Sequence, residues 1–211
     1  MKNGMTLHFI LYLIKEMKGI CVHLWLLLLL VGCVPLRNGV PDNGVPATPE
    51  ESVQNAQFYL GSRPNWDTDC SHFVLACYHS PRMRSFLSRR TDHHNLTREL
   101  RDYLSDQGRR RRRAEDIRPG DILIFNFTYD INRDGRIDSK DLFTHAGIAE
   151  KLENGLVVYL DASERRKPPR LRRRSFSLFG EGHNEVVATD PATGRKIRHR
   201  ETFDSAFEPP Q

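Results

Sequence analysis

The sequence predicts an α+β domain, and three observations carry that prediction. A helical repeat of apolar residues opens at a strong N-cap, Asp69. Two apolar runs meet at Asn154-Gly155, the signature of an antiparallel hairpin. The chain has 211 residues, 38% apolar and 28% charged, which supports one domain with a core and excludes wholesale disorder.

The 32 basic and 27 acidic residues leave a formal charge of +5, and 25 of the bases are Arg. An Arg excess favours anionic partners such as nucleic acid, phosphate-rich lipid or acidic wall polymer, without choosing among them. The four cysteines, Cys21, Cys33, Cys70 and Cys77, fit neither a CxxC zinc site nor a dense disulfide framework. Each therefore needs its own explanation.

Residues 20–32 form an almost unbroken apolar run with five consecutive leucines, preceded by Lys18. Thirteen residues suit the h-region of a secretory signal and are short for a bilayer-spanning helix. The run ends in Leu30-Val31-Gly32-Cys33, which resembles a bacterial lipobox and implies that Cys33 is lipidated and becomes the first mature residue. Cys21 is then discarded with the signal at 1–33, for which Met17-Lys18 makes a compact start. An uncleaved anchor using the second apolar patch at 7–14 places the remainder on the same side. Either way the domain is expected outside the cytoplasm. It is lipid-anchored on the outer side of the cytoplasmic membrane or, in a two-membrane cell, at the outer membrane facing the periplasm. Loss of 1–33 lowers the net charge to +3, and the four prolines of 34–51 read as a tether to a folded domain at 52–205.

Within that domain, Asp69 caps a helix in which Phe73, Val74, Cys77 and Tyr78 recur at helical spacing, until Ser80-Pro81 stops it. Cys70 falls in the first turn. There the unpaired amides and the helix dipole favour a thiolate, readying a nucleophile. Cys77 lies about 10 Å further along the helix, too far for a disulfide with Cys70, and reads as a core residue. A second helix is expected over 95–107.

A nucleophilic thiol needs a base and a group to orient it. Pro119-Gly120 turns into the buried strand Asp121-Ile122-Leu123-Ile124-Phe125, and the hairpin follows: 144–150, a turn at Glu153-Asn154-Gly155, then 156–161. The midpoint of His145 and Asp161 falls within about a residue of the turn, so the two side chains lie opposite or diagonal across antiparallel strands. Spacing alone predicts an imidazole beside a carboxylate.

The blocks Asp69-Cys70-Ser71-x-Phe73, Arg118-Pro119-Gly120-Asp121-Ile122-Leu123-Ile124-Phe125 and His145-Ala146-Gly147-Ile148 together resemble the NlpC family of bacterial cell-wall peptidases. The resemblance spans about residues 55–165. It implies a papain-like fold in which the catalytic helix packs on an antiparallel sheet, with Cys70 as nucleophile, His145 as base and Asp161 as the third, orienting residue. It also implies that Tyr59, shortly before the cysteine, stands near the oxyanion site. Two positions depart from the family pattern. His72 replaces a glycine beside the nucleophile, and Asp161 stands where the family usually has His, Asn or Gln, with Ser163 as a competing third residue.

Between the second and third blocks lies Asp130-Ile131-Asn132-Arg133-Asp134-Gly135-Arg136-Ile137-Asp138-Ser139-Lys140-Asp141. Asp130, Asn132, Asp134, Asp138 and Asp141 supply oxygens at loop positions 1, 3, 5, 9 and 12. Arg136 supplies its carbonyl at position 7, and Gly135 makes the sharp turn at position 6. This is the EF-hand pattern for calcium, with a shorter Asp at position 12, as in dockerin-like modules. The flanks read as strands, so a single structural calcium site at 130–141 is expected. Asp141 is four residues before His145, so a bound ion would pin the segment that presents the base.

Arg109 to Arg113 is a run of five arginines, and a second cluster gathers at Arg165, Arg166, Lys167, Arg170, Arg172, Arg173 and Arg174. Both read as loops beside the cleft that contact anionic glycan or lipid head groups, or simply solvent. With no interleaved aromatics, nothing implies nucleic acid. His93-His94 reads as exposed residues before a helix. Near the C-terminus a turn at Asp190-Pro191-Ala192-Thr193-Gly194 joins two short strands, and 206–211 reads as a tail.

The resemblance implies a cysteine hydrolase cleaving amide bonds in peptidoglycan stem peptides, such as the γ-D-glutamyl to diamino-acid bond. The competing expectation is a non-catalytic, calcium-stabilised module of the envelope that binds wall or anionic polymer.

Overall fold

The computed structural model describes residues 45–60, 69–88, 95–163, 170–180 and 182–209, all within one unit, Val40–Gln211. The signal and lipidation site at Cys33, Cys21, most of the tether, His93-His94 and Arg165 to Lys167 lie outside the described residues.

The first described helix, α1 (Pro49–Leu60), begins inside the stretch expected to be tether. Its start is a capping box. The Thr48 hydroxyl accepts from the Glu51 amide at 3.2 Å, Glu51 Oε2 accepts from the Thr48 amide at 2.9 Å, and Pro49 occupies the first helical position. Helix α2 (Cys70–Tyr78) is capped by Asp69, whose Oδ1 accepts from the His72 amide at 2.7 Å. It ends at His79, in the left-handed region at φ 51°. Pro81 then opens α3 (Pro81–Ser88), so the expected stop is also a start. The helix expected over 95–107 is α4 (Leu96–Gln107), capped by Asn95.

Eight strands follow: β1 (Arg109–Arg110), β2 (Ile122–Phe125), β3 (His145–Glu153), β4 (Leu156–Ser163), β5 (Arg170–Ser177), β6 (Val186–Thr189), β7 (Lys196–Arg198) and β8 (Phe203–Glu208). A single-turn helix, α5 (His199–Thr202), leads into β8. Six strands form one antiparallel sheet in the order β1-β8-β2-β3-β4-β5, and β6 and β7 pair as a separate hairpin. The α+β class is therefore observed.

Two expectations are corrected here. Residues 206–208 are not tail, because β8 lies between β1 and β2 with Ala206 and Phe207 buried. The arginine clusters are in part strand where loops are expected. Arg109 and Arg110 pair with β8, and Arg170 to Arg174 pair with β4 along its length.

Each face of the sheet carries its own core. On one side Ile122, Ile124, Ala146, Ile148, Leu160 and Ala162 pack against the helices, which contribute Phe73, Val74 and Cys77 from α2 and Leu100 and Leu104 from α4. On the other, Leu123, Phe125, Ala149, Tyr159 and Phe176 pack together beneath Ile117 and Leu178. The strict alternation along β2 and the buried halves of β3 and β4 supply both faces at once.

Candidate active site

The β3–β4 hairpin turns on Asn154 and Gly155, at φ 51° and 75°, the two left-handed positions of a tight hairpin turn. Near the turn Glu153 faces Leu156 and Lys151 faces Val158, but beyond Glu150 the register shifts, so that Ala149 faces Tyr159 and Ile148 faces Leu160. This bulge decides the site. Without it, Asp161 would project to the face opposite His145; with it, the continuing register sets Asp161 across from Gly147, diagonal to His145 and on the same face. His145 Nε2 and Asp161 Oδ2 are 2.8 Å apart.

Cys70 belongs to the helix-side core and His145 to the opposite face of the sheet. They meet because each is the first residue of its element, α2 and β3. The thiol is buried, with its sulfur 3.5 Å from the Thr97 hydroxyl of α4, which is itself 3.0 Å from Ser71 Oγ. A cavity of about 290 Å³ opens beside it, and Cys70, His145, Tyr129, Arg172, Arg174 and His199 are in its wall.

Burial disfavours a charged imidazole at His145. The charge of Cys70 and the hydrogen bonds to Asp161 and Cys70 outweigh it and raise the pKa to about 10. With Nε2 on Asp161, Nδ1 is left for the thiol. Asp161 has no exposed surface; burial pushes its pKa up, yet its bond to His145 and the charges of His145 and Arg172 hold it below the usual carboxylate range. Arg172 of β5 donates to both of its oxygens at 3.0 Å, and Arg174 Nη1 stands 3.7 Å away while pairing with Glu185. No family model, curated protein or solved structure matches the chain.

The other expected residues fall as follows. Tyr59 is buried in α1, within the core beneath α2, and among the described residues it is not part of the wall of either cavity at Cys70. The half-exposed ring of His72 folds back on the cap, its Nδ1 2.9 Å from Asp69 Oδ1, and does not narrow the first cavity. Ser163 is the last residue of β4, where its backbone faces Arg170.

Asp130, Asn132, Asp134, Arg136, Asp138 and Asp141 share one loop between β2 and β3. Gly135 takes φ 82° at the expected sharp turn. The carboxylates bind the loop's own amides: Asp130 accepts from Asp134 and Gly135, and Asp134 from Arg136. The fully buried Asp141 accepts from Ile131 and Asp138, both at 2.9 Å. Lys140 Nζ sits 3.0 Å from Asp134 Oδ2. Among the described residues no three His, Cys, Asp or Glu side chains converge on one point. The donors are all oxygen, the chemistry that suits a hard cation. The loop also borders the nucleophile, since a second cavity beside Cys70 has Asp130, Ile131 and Asn132 in its wall.

The two arginine clusters part in the structure: Arg172 and Arg174 are in the cavity wall, and Arg109 to Arg113 are not. Arg109 to Arg113 lie at the β1 edge, the far side of the sheet from β5. There Arg111 is spent on the buried Asp121, at 2.8 Å to each oxygen. On β5, Arg173 holds Glu150 and Arg172 holds Asp161. These three cations hold carboxylates from other elements, which charge runs in sequence do not announce. Thr97, Arg172 and His199 were missed for the same reason: each reaches the site from an element carrying no motif.

Proposed function

We propose that the chain is a papain-like cysteine hydrolase of the NlpC type, acting on amide bonds of peptidoglycan stem peptides at the cell envelope. The observation that carries this reading is His145, held between the Asp161 carboxylate and the Cys70 thiol in the wall of one cavity. The three sequence blocks supply the substrate class. The lipobox-like Cys33 supplies the location, anchored by lipid in the membrane.

The cycle follows from the charges. An imidazole whose pKa is raised to about 10 holds its proton beside the sulfur, ready for a leaving group. The Cys70 sulfur attacks the amide carbonyl, forming a C–S bond and placing charge on oxygen. First-turn amides of α2 stabilise that oxygen. His145 gives its proton to the leaving nitrogen as the C–N bond breaks. It then takes a proton from water, whose oxygen attacks the thioester; the C–S bond breaks and the acid leaves. Asp161 keeps the ring aligned through both transfers.

Calcium belongs to the proposal as a structural ion, held by side-chain oxygens of Asp130, Asn132, Asp134, Asp138 and Asp141 and by the Arg136 carbonyl. Chelation is expected to lower the melting temperature and slow hydrolysis together; no change in either would remove calcium from the account. For the function itself, the protein is incubated with purified peptidoglycan beside Cys70→Ala. New amine ends only with intact Cys70 support the hydrolase. Equal co-sedimentation of both forms without cleavage supports a wall-binding module instead.

A further inference from the structure

The third residue of the proposed site is a fully buried carboxylate, and what holds it does not come from the hairpin that carries His145. Arg172 Nε reaches Asp161 Oδ1 and Arg172 Nη2 reaches Asp161 Oδ2, each at 3.0 Å. Oδ2 is the same oxygen that lies 2.8 Å from His145 Nε2. A two-point contact fixes the plane of a carboxylate, where a single ammonium would let it turn. The plane of Asp161 in turn decides whether an Oδ2 lone pair points at the imidazole.

We infer that Arg172 is a positioning residue of the hydrolytic site: through Asp161 it sets both the orientation of His145 and the division of charge between His145 and Cys70. This deepens the hydrolase reading and rests on it. An unshared buried carboxylate would bind the imidazolium proton too tightly to release it to a leaving amine. It would also repel the thiolate beyond the ring. A guanidinium on the far side of the carboxylate takes up part of that charge.

The neighbouring groups are few. His145 faces Cys70 from α2, Asp161 from β4 and His199 from α5, the last kept neutral by burial and by Arg174. Asp161 faces His145, Arg172 and, at 3.7 Å, Arg174, with Tyr159 close by on β4. Arg174 is the weaker cation for Asp161 because Glu185 already holds it. Arg172 has no other carboxylate partner among the described residues. Its side chain is 38% exposed in the cavity wall, open enough to be substituted without emptying the core.

Removing a cation raises every nearby pKa, thiol and imidazolium alike, so the two limbs of a pH profile should move together. The test is the rate of Cys70 alkylation by iodoacetamide against pH in the full chain, with the modified cysteine identified by peptide mapping. Imidazole NMR of His145 is followed in parallel. Arg172→Met and Arg172→Gln are expected to shift both limbs alkaline by about half a unit or more. Arg172→Lys, which keeps the charge and loses the fork, should leave the limbs in place and lower the rate of hydrolysis. If neither neutral variant moves the limbs, or if Arg172→Lys moves them equally, the inference is overturned, whatever happens to melting temperature. Alkylation needs no substrate, so limbs that move while peptidoglycan stays intact would sink the hydrolase reading and keep the coupling.

Discussion

Two histidines of this chain sit in the same cavity and carry opposite shifts. His199 is lowered to about 3, by burial first and by Arg174 second. It packs against Phe125, Tyr159 and Phe176 of the second core and pairs through Nε2 with the Tyr159 hydroxyl. Because its folded pKa is depressed, its contribution is present above the unfolded value near 6.5 and is lost as pH falls toward 3. Within that window the loss is about 1.4 kcal/mol per pH unit. His199→Phe should therefore flatten the fall of the urea midpoint between pH 6 and pH 4. A slope identical to wild type would show that His199 is not a buried neutral ring. His145 runs the other way: its pKa is raised to about 10, so its contribution is full below 6.5 and is lost as pH climbs from there through about 10.

What could be read of the site at this scale was the part carried by local chemistry. Asp69 before Cys70 is a cap followed by a first-turn thiol, and both are legible from neighbours in sequence. Asp161 is legible only in part: spacing sets it near His145, but the bulge that turns it to the same face is unmarked in sequence. Arg172 is not, because a guanidinium in a run of arginines looks solvated until the strand beside it supplies a buried carboxylate. Thr97 is a single hydroxyl in an ordinary amphipathic helix.

Among the elements, the β3–β4 hairpin has the most to lose from a small change. Its alignment depends on the bulge after Ala149 and on the close approach of Tyr159 to Gly147. A Cβ at Gly147 would fall 2.6 Å from Tyr159 Cδ2 and 2.9 Å from the Leu160 carbonyl oxygen. Neither neighbour can retreat easily, since Tyr159 is fully buried and Leu160 is in the ladder. Gly147→Ala is expected to cost about 1–3 kcal/mol in a denaturant titration and to weaken hydrolysis by tilting Asp161 away from His145. A variant of wild-type stability would mean that the strands are not so closely packed. The turn was visible as Asn154-Gly155; the bulge was not, because nothing in 148–151 marks which residue will be left unpaired. The start of α1 is the opposite case. Thr48-Pro49-Glu50-Glu51 is a complete capping signal, obscured by the prolines before it. Strand β8 was hidden by the prolines after it and by the bulge that breaks its alternation near Phe125.

Over the whole molecule, the two cores divide the labour. The helix-side core delivers Cys70 at the start of α2, and the opposite core holds the aromatic floor on which His145, Asp161 and His199 stand. The site forms at the end of the sheet where the two meet, with the Asp130 loop bordering Cys70 on one side and the β5 arginines on the other. A part of the arginine excess is taken up within the chain: Arg111, Arg172, Arg173 and Arg174 each hold a carboxylate of this chain. Net charge is thus a weaker guide to partners here than it first looks.

The central claim is that Cys70 is a nucleophile that cuts wall peptides. The measurement that bears on it most directly is the time course of new primary amines released from purified peptidoglycan by wild type and by Cys70→Ala at equal concentration. The account predicts steady release by wild type and none above background by the variant, which keeps the fold. Release by both, or by neither while wild type is folded, would contradict it.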